Sequence, residues 1–100
     1  MTIEQAATRE LLKAGVPEHF SGFRYLHSAI VICYTDVDKL GLVTKVLYPE
    51  IAKLYSVGDW RRIERCMRSA LKKSNSKHRT SSAFLSAVTW YLKQLDEPPA

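Results

Sequence analysis

Residues 48–73 read YPEIAKLYSVGDWRRIERCMRSALKK. At about 100° per residue, the second half of this stretch winds into a helix with two unlike sides. Trp60, Ile63, Cys66, Met67, Ala70 and Leu71 fall on one side. Arg61, Arg62, Arg65, Arg68, Lys72 and Lys73 fall on the other, with Ser69 among them and Glu64 at the border. One face suits burial in its own domain, the other a negatively charged partner. In the first half, Ile51, Ala52 and Tyr55 are spaced to pack inward from a second helix, and the small Ala52 lets a neighbour approach closely. Val57 serves as an apolar anchor in the turn, Gly58 is expected to take a positive φ, and Asp59 is placed to accept from the free N–H groups of the following turn. This is the grammar of a helix-turn-helix over 48–73, in which helix 60–73 enters the major groove of DNA. The turn is about one residue longer than the tightest version.

Charge distribution supports the same reading. The net charge is +5, yet residues 61–79 alone hold eight Lys or Arg against the single acid Glu64, and the remainder of the chain is net acidic. A basic stripe confined to one segment is the electrostatic footprint of a phosphate-backbone binder. The bland account of such a stripe is a solvated helix face, or an amphipathic helix lying on anionic lipid.

N-terminal to this stretch, Thr2 and Gln5 form a capping-box pattern for a helix running to Lys13, with Gly15 and then Val16-Pro17 as its stop. Gly22 precedes a longer helix predicted over Phe23–Leu40, the central core helix, in which Phe23, Leu26, Ile30, Cys33, Val37 and Leu40 keep the helical period and Val31 and Tyr34 widen the stripe. Asp36 and Asp38 point to different sides of it and read as solvated. The segment LVTKVLY after Gly41 fits a separate helix or the opening of the Tyr48–Tyr55 helix, with a helix start or a bend at Pro49. Beyond Lys73, SNSKHRTSS is polar and aperiodic, a loop. A last helix is predicted from near Ser82 to before Pro98-Pro99, with Phe84, Ala87, Val88, Tyr91, Leu92 and Leu95 as its apolar face. Of the adjacent Trp90 and Tyr91, one is expected to pack inward, and core packing is the favoured account of both. With no strand pattern or hairpin turn, the class is all-α, five or six helices, one domain over 1–100.

Composition narrows the chemistry. A hydrophobic fraction of 46% with 25% charged residues is ordinary for a globular protein. No apolar run approaches the roughly 20 residues needed to span a bilayer, so no membrane role is expected. The N-terminus MTIEQAATRE lacks the basic and apolar regions of a secretion signal, making the cytoplasm the expected compartment. Cys33 and Cys66 are the only cysteines, without a CxxC or a nearby histidine at ligand spacing, and read as two buried free thiols rather than a zinc site. His19, His27 and His78 lie far apart with no nucleophile or carboxylate pattern, and no phosphate-cradling GxxxxGK[ST] is present. Neither an enzyme nor a cofactor or metal binder is expected.

Three runs carry a family resemblance: GVPEHFSGFRYLHSAI, then TKVLYPEIAKLY, then RRIERCMRSAL. Together they resemble the C-terminal DNA-binding effector domain of the sporulation master response regulator of endospore-forming Firmicutes. The resemblance covers about Leu11 to Lys72 and returns more weakly around SAFLSAVTWYLKQL. It implies a helix-turn-helix transcription regulator that binds TGTCGAA-like promoter elements as tandem copies, with double-stranded DNA, a second copy of the chain on DNA and RNA polymerase as partners. It places base reading on Arg62, Glu64, Arg65 and Arg68. The chemistry agrees: Arg is bidentate to guanine O6 and N7, and Glu accepts from cytosine N4. The bland account of Glu64 is an i,i+4 pair with Arg68, worth a few tenths of a kcal/mol. Phosphate contacts are expected from Arg61, Lys72, Lys45 and Lys53, and from Lys77 and Arg79 in the loop.

Three departures from the family stand out. These 100 residues hold no counterpart of its phospho-receiver domain, so a stand-alone relative or a fragment is expected, without activation by phosphorylation in cis. Ser74–Ser81 replaces a longer connection with its own short helix, and Trp60 stands at a helix start where the family is small and polar. The rival reading is a protein-interaction module that dimerises with, or antagonises, a full-length regulator.

Overall fold

The computed structural model describes residues 2–96, and every regular element within them is helical. In chain order these are α1 (Ile3–Lys13), α2 (Ser21–Thr35), a 3₁₀ turn (Val37–Gly41), a π-helical turn (Val43–Leu47), α3 (Tyr48–Leu54), α4 (Trp60–Lys72) and α5 (Ser81–Asp96). The all-α expectation is met by five α-helices and two short turns. The stop expected at Pro98-Pro99 lies outside the described residues.

Helix α1 forms as its caps dictate. Thr2 Oγ1 accepts from the Gln5 N–H at 3.1 Å, and Gln5 Oε1 accepts from the Thr2 N–H at 3.0 Å, a reciprocal capping box. At the other end Gly15 takes φ 76°, and its N–H donates to Leu12 O while Val16 N–H donates to Leu11 O. That pair of bonds is a Schellman motif, and only glycine adopts its left-handed residue without strain. The Asn75 N–H donates to Ala14 O at 2.7 Å, so the α4–α5 connection is tied to the end of α1.

Helix α2 is the centre of the molecule, packed against α4, α1 and α5. Its course differs from the expected Phe23–Leu40. It starts at Ser21, so Gly22 lies inside it rather than before it. A Cβ on Gly22 would collide with the Cys66 carbonyl oxygen and stand 2.7 Å from the Ala70 Cβ, so α2 and α4 meet backbone to backbone at this point. The helix stops at Thr35, where the chain turns extended at Asp36 (φ −137°, ψ 92°). Two side chains divert it: Thr35 Oγ1 donates back to Val31 O, and Asp36 Oδ1 accepts from the Asp38 N–H. Such local bonds compete with a continuing helix. Asp36 is therefore the cap of the 3₁₀ turn and not merely a solvated charge. That turn carries Lys39 to Glu50, whose two carboxylate oxygens accept from Nζ at 3.0 and 2.9 Å.

The π-helical turn runs directly into α3, where Pro49 stands in the first turn. Proline has no N–H, and its ring presses on the carbonyl four residues back, so a widened turn before it fits. Tyr25 and Ala29 of α2 join the core together with the expected Leu26, Ile30 and Cys33, while Phe23, Val31 and Tyr34 are half-buried. In α5 the buried line is Phe84, Leu85, Thr89 and Leu92. Ala87, Tyr91 and Leu95, expected inside, face outward, and Trp90 and Tyr91 are both exposed, at 50% and 43%. The helix is apolar over much of its circumference, so the period alone does not select the covered arc. Cys33 is buried and Cys66 half-buried, both free thiols.

Candidate nucleic-acid interface

Helix α4 is seated by Ile63, Met67, Ala70 and Leu71, all buried against the core. Asp59 caps it, its Oδ1 accepting from the Arg61 N–H at 3.0 Å, as the sequence pattern requires. Lys73 is its C-cap. Ahead of it, Tyr55–Asp59 separate α3 from α4. Ser56 N–H donates to Lys53 O and Val57 N–H to Ala52 O at 2.7 Å, a second Schellman motif. Its left-handed residue is Ser56, at φ 56°, and not the expected Gly58, whose φ is not positive. Val57 is half-buried against the core, the anchor anticipated for the turn.

The residues opposite the buried stripe are Arg68, Arg61, Lys72, Arg65, Ser69 and Arg62, spanning an arc of about 120° at helical spacing. All six are exposed, and Arg65 stands nearest its centre. Among the described residues, neither Arg62 nor Arg65 has an ion-pair partner. Arg61 reaches Asp59 at 3.7 Å and Arg68 reaches Glu64 at 3.4 Å, the i,i+4 pair foreseen from the sequence. Exposed pairs of this kind are worth about 0–1 kcal/mol, so a phosphate or a base edge can displace either carboxylate at little cost.

Among the described residues, three hollows border this arc. One, lined by Lys45, Glu64, Arg68 and Arg79 with Thr80–Ser82, brings the π-helical turn and the start of α5 to the flank of α4. A second is lined by Thr44, Tyr48, Asp59, Trp60, Arg61, Glu64 and Arg65. In the third, Arg62 and Arg65 meet Phe20, Ser21 and Gly22, where α2 begins without a side-chain cap. Lys53 lies apart from all three, in a shallow hollow with Ile32, Glu50 and Leu54. Lys72 and Lys77 are exposed and border none of the three. Thr44, Ser82 and the Phe20–Gly22 corner were not legible as neighbours of the basic face, because only tertiary packing brings them there.

Aromatic groups stiffen the leading end of α4. The Trp60 and Tyr48 rings stack with centroids 6.0 Å apart and planes 11° apart, and the Arg61 guanidinium lies 5.4 Å from the indole centroid. Burial pushes the Tyr48 hydroxyl above its ordinary pKa, with Glu64 adding to the rise and Ser81 opposing it. No group of three His, Cys, Asp or Glu side chains converges as a metal site among the described residues, and no described helix is long and apolar enough to cross a membrane.

The family model described as Sporulation initiation factor Spo0A C terminal matches residues 7–93. Domains of this family are DNA-binding effector domains of a sporulation regulator, transcription-factor domains rather than enzymes, and they bind double-stranded DNA. Matched over nearly its whole length, with an all-helical fold compatible with a helix-turn-helix, the chain belongs to the Spo0A C-terminal domain family.

Proposed function

We propose that this chain binds promoter DNA sequence-specifically by laying α4 in the major groove. Arg62, Glu64, Arg65 and Arg68 would read base edges, and Arg61, Lys72, Lys45, Lys53, Lys77 and Arg79 would hold phosphates. The observation that carries this reading is the outward arc of α4: a capped, core-seated helix presenting Arg62 and Arg65 with no ion-pair partner among the described residues. Unpaired guanidiniums on a rigid helix are pre-organised for bidentate contact with guanine. Glu64 at the edge of the arc has a cytosine N4 amino group as its matching target. Lys45 and Arg79, which share a hollow with Arg68, support phosphate contacts on that flank, whereas the position of Lys53 makes its contact the least supported.

Arg65→Ala and Arg68→Ala are each expected to cost about 1–3 kcal/mol at the preferred site and to relax base preference there. Lys72→Ala is expected to weaken binding evenly on all sequences and to reduce the salt slope by about 1. Unchanged affinity and preference in both arginine variants would refute the assignment.

A second reading has its own support in the exposed Trp90, Tyr91 and Leu95 of α5. A second copy of the chain on DNA, RNA polymerase or a full-length regulator would meet the domain there. If partner binding is the whole function, the arginine variants retain full activity in a partner-binding or reporter assay.

A further inference from the structure

Trp60 is the first residue of α4, the end of a recognition helix whose residues reach base edges. Its indole is held rather than free: it stacks on Tyr48, itself only 5% exposed, and carries the Arg61 guanidinium 5.4 Å from its centroid. It lines a cleft of about 630 Å³ with Thr44, Tyr48, Arg61, Glu64 and Arg65. Trp60 lies one helical turn before Glu64, its half-buried indole packed in part against the core on the side of Met67 and Leu71, and the remainder of the ring shares this cleft with Glu64 and Arg65 at the margin of the basic arc.

Base edges in the major groove present donors, acceptors and a single apolar group, the thymine 5-methyl. A polar base edge pressed on an indole loses its water without gaining a partner, which is costly. The thymine methyl loses nothing polar and gains contact. Resting on the DNA reading above, we infer that Trp60 is a specificity-determining residue that selects a thymine next to the bases read by Glu64 and Arg65, by receiving its methyl group in this cleft.

Deoxyuridine differs from thymidine only in lacking that methyl, which makes it the probe. Each thymine of a duplex carrying TGTCGAA, or of the site obtained by selection from random duplexes if that differs, is replaced in turn by deoxyuridine. Equilibrium binding is then measured for the wild type, Trp60→Phe and Trp60→Ala. For the wild type one replacement is expected to weaken binding about fourfold, the worth of one buried methyl-sized group, and the others to change little. Trp60→Phe keeps an apolar ring without the indole N–H and should retain that sensitivity. Trp60→Ala should bind the thymine and deoxyuridine duplexes equally at that position.

A second readout needs no substitution in α4. With the exposed Trp90 changed to Phe, Trp60 is the remaining tryptophan, and its emission should shift more on the thymine duplex than on the deoxyuridine one. A wild type indifferent to every replacement, or a penalty that persists in Trp60→Ala, overturns the inference while leaving sequence-specific binding intact. A wild type with no sequence preference on any duplex overturns the DNA reading and the inference together.

Discussion

Ser56 closes the α3 helix in a left-handed conformation, φ 56°, while glycine stands two residues later where its freedom is not used. A non-glycine residue there carries about 1–2 kcal/mol of strain. Ser56→Gly is therefore expected to raise stability by roughly 1 kcal/mol, and Gly58→Ala, whose added Cβ would meet nothing within 4 Å, to leave it unchanged or slightly higher. Urea denaturation of the two variants checks the contrast, and the reverse ranking would mean that Gly58 carries the turn. Thr89 makes a different case at the same scale. It is fully buried in α5, and its hydroxyl has no hydrogen-bond partner among the described residues. Thr89→Val keeps the shape and removes the unpaired group, so a gain of about 1 kcal/mol is expected in the same measurement. The turn residue was misplaced from the sequence because glycine is the usual left-handed residue; which position takes that conformation depends on where α3 ends, and the periodicity of seven residues does not locate that end.

Among the elements, the crossing of α2 and α4 sets how α4 is presented. Gly22 lets the two backbones touch, and the partner atoms are the Cys66 carbonyl and the Ala70 Cβ, neither of which can swing aside. Gly22→Ala is expected to destabilise by at least about 1–3 kcal/mol, the usual cost of overpacking. Thermal unfolding would report it, and near-wild-type stability would show that the helices can separate without loss. Helix α4 was fully legible in the sequence because three signals coincide in it: the Asp59 cap, an apolar stripe of the right period and a contiguous basic face. Helix α2 was overrun at its C-terminus because Val37 and Leu40 continue the apolar period past Thr35. The bonds of Thr35 and Asp36 that end the helix are local, and the pull of Lys39 toward Glu50 is tertiary. The covered side of α5 was misjudged at Tyr91 and Leu95 for a related reason: a helix apolar over much of its circumference does not say which arc meets the core. The basic face was legible residue by residue, while the separation of Lys53 from it follows only from how α3 packs.

For the whole molecule, three groups hold their protons more tightly in the fold. Burial raises the Cys33 thiol from 9.0 to about 11, the hydrogen bond to Glu50 raises Lys39, and burial raises Tyr48. Above pH 9.0 the unfolded chain gives up the cysteine proton while the folded chain keeps it, so stability must fall between pH 9.0 and about 11. Lys39 acts in the same direction, its contribution full below 10.5 and lost as pH rises through its raised value. The urea midpoint is expected to drop across this window by the equivalent of up to about 2 kcal/mol from Cys33, and Cys33→Ala should flatten that part of the slope. A pH-independent midpoint from 9 to 11 would contradict the burial of the thiol. The proposed DNA binding rests on the charge that α4 and its flanks present to solvent. Its most direct test is fluorescence anisotropy on a duplex carrying TGTCGAA and on a scrambled duplex, across a salt series. The prediction is tighter binding to TGTCGAA, with log K falling linearly against log salt at a slope approaching about −5 if all six proposed phosphate residues engage. Absence of binding to either duplex at low salt would contradict the claim that α4 is a DNA-binding helix.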